Sequence, residues 1–104
     1  MMDIFELEKQ RLEWSLKTFP EATAYSSLQK LKGEIEEIEA DLRVVPLPES
    51  IIEEYADCLM CLFDSAGRLG IKPPLIFEAF AEKLKKNKNR IWIKNPDNTY
   101  SHKK

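Results

Sequence analysis

The sequence predicts an all-α protein: an antiparallel bundle of about four helices, completed by oligomerisation. Three observations carry this. Apolar residues recur at intervals of three and four in four separate segments. Proline-containing breaks at Pro20, at 44–48 (VVPLP) and at 72–74 (KPP) fall between those segments. One of the four is apolar around more than half its circumference, more than a four-helix monomer of 104 residues can cover. No run alternates apolar and polar residues convincingly, so no strand is expected.

The first helix is expected from Ile4 to about Thr18, with Phe5, Leu12, Leu16 and Phe19 down one side and Pro20 as its stop. The segment PEATAY is read as a loop. The second helix is expected to start near Ser26 or Ser27, since Ser26 and Gln29 have capping-box spacing. Leu28, Leu31, Ile35, Ile38 and Leu42 form its apolar stripe, and it ends before the proline-rich connector. Ser50 and Glu53 repeat the capping-box spacing and open a third helix that runs to about Leu69, with Gly70 as a natural terminator. The fourth is expected from Leu75 to about Arg90. The remainder, a tail from about residue 93, shows turn chemistry without periodicity.

Length favours one domain spanning 1–104. The composition, 43% hydrophobic and 33% charged, supports a modest core. A net charge of −2 gives no broad case for a nucleic-acid polymer as partner. No apolar run nears the roughly 20 residues of a membrane span. The acidic start, MMDIFELEKQ, lacks the parts of a signal peptide. A cytoplasmic protein is expected, and there Cys58 and Cys61 stay reduced.

The candidate chemistry lies in two pairs of acids. A helix turns about 100° per residue, so Glu34, Glu37 and Asp41 line one edge of the second helix's apolar stripe. On the third helix the polar residues Glu54, Asp57, Asp64 and Arg68, with Cys61 among them, are confined to a narrow strip, and Glu54 and Asp57 are three apart. Crowded carboxylates raise one another's pKa. A divalent cation such as Mg²⁺, which takes oxygen ligands, removes that cost. The competing reading is that both strips face water.

On the fourth helix, Ile76, Phe80 and Leu84 define an apolar face that Lys83, Asn87 and Arg90 continue. A cation and a guanidinium beside an acid–metal cluster suggest a triphosphate, which Arg grips through its planar fork. Lys85, Lys86 and Lys88 are read instead as a basic last turn complementing the helix dipole.

The runs KLKGEIEEI, EEYADCLMCLFDSAGRLGI and EKLKKNKNRIW, in that order, resemble the MazG-like all-α nucleoside triphosphate pyrophosphohydrolases. Their E-x-x-E and E-x-x-D pairs match Glu34 with Glu37 and Glu54 with Asp57, with sixteen residues between. WSLKTFPEAT before these motifs and NRIW…DNTYSH after them are similar to the dATP/dGTP pyrophosphohydrolase branch, which includes phage MazZ-like proteins.

The resemblance implies Mg²⁺-dependent hydrolysis (Mn²⁺ a possible substitute) of a purine dNTP, dATP or dGTP, to nucleoside monophosphate and pyrophosphate. Glu34, Glu37, Glu54 and Asp57 would be the metal ligands. Lys83, Asn87 and Arg90 would meet the phosphates or the nucleotide, and Trp92 is a candidate to stack on the base. The expected assembly is a homodimer or homotetramer. Asp41 and Asp64 extend the acid stripes as supporting residues. Gly33 departs from the family, whose members usually carry Glu there, and Asn98 departs where Gly is expected.

CLMC is read as two core thiols, since zinc would need further ligands and His102 is the only histidine. His102 receives no role. The alternative function is a non-catalytic helical dimerisation or adaptor module.

Overall fold

The computed structural model describes residues 3–104. It contains α1 (Ile4–Thr18), α2 (Ala24–Asp41), α3 (Ile51–Arg68), α4 (Pro73–Lys88), β1 (Trp92–Lys94) and β2 (Tyr100–His102). The chain divides into two compact units, one ending at Pro73 and one spanning Pro74–Lys104. Among the described residues no helix is long and apolar enough to cross a membrane.

α1 has the expected bounds. The Asp3 carboxylate caps it by accepting from the Phe5 N–H at 2.9 Å. At its end the Phe19 N–H reaches back to the Ser15 carbonyl, and Pro20 follows. α2 begins two residues earlier than expected. Thr23 is the cap: its hydroxyl accepts from the Ser26 N–H at 3.0 Å, while Ser26 Oγ accepts from the Thr23 N–H at 2.8 Å. Ser26 is therefore the inner half of a capping box.

α3 starts at the expected place by another route. Ser50 already has helical angles and makes no side-chain cap bond. The Ile51 and Ile52 N–H groups bond instead to the carbonyls of Pro48 and Glu49. The helix ends in a Schellman motif: the Gly70 N–H bonds the Gly67 carbonyl and the Ile71 N–H bonds the Ala66 carbonyl. This turn needs the left-handed conformation that Gly70 adopts at φ 79°.

In the first unit α3 lies antiparallel to α2, and its C-terminal end also meets the C-terminal half of α1. Its C-terminal Asp64 and Ser65 bond Ser27 and Ala24 at the start of α2, and Asp64 also bonds Ser15 near the end of α1. Ile38, Ile51 and Cys61 are its buried apolar residues. Much of α3 remains uncovered, with Ile52 74% and Tyr55 58% exposed.

The second unit corrects the expectation of a helix followed by an irregular tail. α4 starts at Pro73, a favoured first-turn position for proline, and ends at Lys88. Residues after it form an antiparallel hairpin in which Trp92 pairs with His102 and Lys94 with Tyr100. Its turn is closed by the Asn98 N–H donating to the Asn95 carbonyl at 3.0 Å, with Pro96 between. Asn98 sits at φ 70°, a left-handed angle that Asn tolerates better than most residues, so it can stand where a glycine was expected. Asp97 accepts from both the backbone N–H and the hydroxyl of Thr99, which stiffens the same turn.

Candidate active site

The acids of α2 and α3 form one electrostatic cluster in the first unit. Glu37 is pushed up mainly by the charge of Glu34, then by burial, with Asp57 adding to the effect and Lys30 opposing it. Glu54 is pushed up to about 7, first by a hydrogen bond with Asp41, then by burial and by the charges of Asp41, Glu37 and Glu34. Asp41 Oδ2 and Glu54 Oε2 are shielded from solvent and have no donor while both groups are ionised. A proton held on Glu54 makes its bond to Asp41 possible. Lys30 Nζ approaches Glu34 Oε1 at 3.5 Å as a local counter-charge.

Glu34 and Asp57 are thus near enough to act on Glu37, and Glu34 and Glu37 near enough to act on Glu54 across the two helices. Among the described residues, however, no three His, Cys, Asp or Glu side chains are already gathered into a set that could hold a metal ion. Asp41 belongs to the cluster more directly than its supporting status suggested. The signal was available, because it follows Glu34 by seven residues and Glu37 by four.

Asp64 does not extend this cluster. Its Oδ1 accepts from Arg11 at 3.0 Å and from Ser15 Oγ at 2.8 Å; its Oδ2 accepts from Ser27 Oγ at 2.6 Å and Arg68 Nε at 2.8 Å. Burial alone would raise its pKa, but the hydrogen bonds from Ser27, Arg68, Ser15 and Arg11 outweigh this and hold the carboxyl well below the usual range. Arg11 also pairs with the buried Glu8. Arg68 donates onward to the carbonyls of Ala22 and Ser15. The polar strip on α3 therefore has two parts with opposite electrostatics. At one end carboxylates face each other; at the other a carboxylate is fully satisfied.

Cys61 is buried and Cys58 half-buried. Burial, followed by the nearby Glu34 charge, pushes the Cys58 thiol up; burial also raises Cys61. Both thiols stay protonated near neutral pH, which suits core packing and not zinc or nucleophilic chemistry. Gly33 borders an open depression of about 560 Å³ together with Lys30, Glu34 and Glu37. A Cβ at Gly33 would meet nothing within 4 Å, so no steric demand explains the glycine.

Lys83, Asn87, Arg90 and Trp92 belong to the second unit. Lys83 is exposed; Asn87 and Arg90 are half-buried. Asn87 Oδ1 accepts from Arg90 at 3.2 Å, and the Asn87 carbonyl accepts from the Trp92 indole N–H at 2.8 Å. Trp92 also meets the His102 ring edge to face, with centroids 6.0 Å apart. Its N–H is thus committed to the protein, and the residue as a whole is 41% exposed. Ile91, between Arg90 and Trp92, is exposed.

This fold is that of a MazG-like pyrophosphohydrolase. A solved structure described as a cyanophage S-2L MazG-like pyrophosphohydrolase bound to dGDP and three catalytic Mn²⁺ ions per active site matches 100% of both chains, with a TM-score of 0.78 and 25% sequence identity. The chain belongs to the dATP/dGTP pyrophosphohydrolase family, whose model matches residues 7–103. A "dATP/dGTP diphosphohydrolase" of Salmonella phage PMBT28 is 31% identical over 101 residues, covering 95% of this chain. The chain spans 31% of that relative's length.

Proposed function

We propose that this protein is a divalent-metal-dependent pyrophosphohydrolase that converts dATP or dGTP to the monophosphate and pyrophosphate. The observation that carries this reading is the cluster of Glu34, Glu37, Asp41, Glu54 and Asp57. The charges of its neighbours push Glu37 and Glu54 up, and two of its shielded oxygens have no donor. Such an excess of hard oxygen donors fits Mg²⁺ or Mn²⁺. Family membership and the Mn²⁺ ions of the cyanophage relative support the same assignment.

In this reading Glu34, Glu37, Glu54 and Asp57 hold the cations, and Asp41 is available as a further ligand. Bound cations would neutralise phosphate charge and lower the pKa of a coordinated water. Glu54, which holds a proton in its bond to Asp41, would release it to ligate a cation. Lys83, Asn87 and Arg90 bind phosphate oxygens, and the Trp92 ring offers a stacking surface for the purine. Water adds at the α-phosphorus, the bond to the β-phosphate oxygen breaks, and pyrophosphate leaves. The match of one family model over residues 7–103 supports reading the chain as one functional domain.

The exposed apolar surface of α3, and of α4 at Phe80 and Leu84, supports a homodimer or homotetramer. A cytoplasmic site of action fits a nucleotide substrate. The deciding experiment is a product assay over a panel of triphosphates with Mg²⁺ or Mn²⁺. Monophosphate plus pyrophosphate from dATP or dGTP is expected. Orthophosphate as the product would move the reaction to the γ-phosphate. No turnover by folded, metal-loaded protein would leave the helical adaptor as the better reading.

A further inference from the structure

Among the described residues only three apolar ones are buried in the first unit, and non-directional apolar contact by itself does not fix how far α2 and α3 are shifted along each other. A directional polar contact does. Ser27 Oγ donates to Asp64 Oδ2 at 2.6 Å, and Ser65 Oγ donates to the Ala24 carbonyl at 2.8 Å; both bonds join the start of α2 to the end of α3. Asp64 is at the same time clamped from α1 by Arg11 and Ser15 and from its own helix by Arg68. Moving α3 along α2 by one turn would leave a buried carboxylate and a buried hydroxyl without each other.

The spacing connects this tie to the acids. Glu34 lies seven residues after Ser27 on α2, and Asp57 lies seven residues before Asp64 on α3. Because the helices are antiparallel, both steps lead the same way by two turns, about 10.5 Å. Glu37 and Glu54 are each three residues further on. Ser27 opposite Asp64 therefore sets the Glu34–Glu37 stretch of α2 against the Asp57–Glu54 stretch of α3, and Asp41, one turn beyond Glu37, reaches Glu54.

We propose that Ser27 and Asp64 are positioning residues: their buried hydrogen bond fixes the register of α2 against α3 and so holds the two acid pairs face to face for metal binding. This rests on the pyrophosphohydrolase reading of the acid cluster. Neither residue touches metal or substrate. The cost of holding mutually repelling carboxylates together is offset by a contact two turns away, where charge is fully compensated.

The test uses the full chain and Mn²⁺ as the probe, with free Mn²⁺ followed by electron paramagnetic resonance well below each variant's melting temperature. Ser27→Ala removes the tie while leaving Asp64 three other partners, so the charge stays satisfied. Its apparent Mn²⁺ dissociation constant should rise at least about tenfold, the lower end of what losing an orienting partner costs a metal site. Ser27→Ala with Ser65→Ala should raise it further. Leu12→Ala loosens the contact of α1 with Gly67 of α3 and serves as the stability control; it should lower the melting temperature and leave Mn²⁺ affinity unchanged. A Ser27→Ala protein that melts lower but binds Mn²⁺ within twofold of wild type would make the bond purely structural and overturn the proposal. Equal loss of affinity in the Leu12→Ala control would overturn it too, by showing a general effect of stability. Wild-type protein that binds no Mn²⁺ would remove the pyrophosphohydrolase reading along with it, an outcome distinct from the other two.

Discussion

The carboxyl groups of Asp41 on α2 and Glu54 on α3 can share a hydrogen bond only while one of them keeps a proton, and Glu54 is pushed up to about 7 as a result. Glu54→Gln supplies a permanent donor at the same place and removes one negative charge from the cluster. The metal-free variant should melt no lower than wild type, as thermal denaturation at neutral pH will show. Its pyrophosphate release from dATP or dGTP should fall by at least about 100-fold, since a lost ligand costs more than a lost orienting partner. Full activity in this variant would remove Glu54 from the metal site.

Asp64 predicts the acid side of the stability profile. Its folded-state pKa is depressed, so the group contributes stability that is fully present above its ordinary value of 3.8 and lost as the pH falls below it. Asp64→Asn should therefore flatten the loss of stability below about pH 4 seen in wild type. At neutral pH the same variant leaves Arg11 and Arg68 short of a carboxylate and should cost on the order of 3 kcal/mol. Denaturant titrations at pH 3 and pH 7 check both signs; an unchanged acid limb would count against the network as drawn.

Gly67 tests the fit of α1 on α3. A Cβ there would lie 2.8 Å from Leu12 Cδ1 and 2.9 Å from Cδ2, so something must move. The crowding opposes the gain of about 1 kcal/mol that Ala brings over Gly within a helix. Gly67→Ala should be close to neutral in wild type and stabilising by about 1 kcal/mol in a Leu12→Ala background. A double-mutant cycle by chemical denaturation measures this coupling, and additive effects would show that the two positions do not meet.

Asn98 tests the hairpin turn. At φ 70° a β-branched side chain is strained, and glycine is not. Asn98→Val should destabilise the hairpin by about 1 kcal/mol or more, while Asn98→Gly should retain it. Cross-strand nuclear Overhauser effects between Trp92 and His102 are the readout. Their survival in the valine variant would contradict the turn geometry.

The bounds of α1 were legible because periodicity, a first-turn acid and Pro20 all agree on them. The cap of α2 was not, since Thr23 and Ser26 offer the same hydroxyl chemistry and only the backbone angles decide which is outside the helix. Ser50 and Glu53 had the right spacing without the geometry, because the chain enters α3 already wound. The three-residue strands were too short for alternation to show; the turn residues Asn95 to Asn98 were the available signal. Helical spacing sufficed to place Glu34 with Glu37 and Glu54 with Asp57. It could not separate Asp64 from them, since that depends on Arg11, 53 residues away in sequence.

Arg11, Ser15, Ser27 and Arg68 together satisfy Asp64, and none of them belongs to the acid cluster. The acids can therefore change without disturbing the network, while a change in the network reaches the acids. An altered acid at position 34, 37, 54 or 57 meets a bundle whose shape is already secured, which leaves room for drift in metal preference or substrate choice before folding is at risk. Changes at position 27 or 64 have no such latitude, because they reach both the fold and the register of the acids at once.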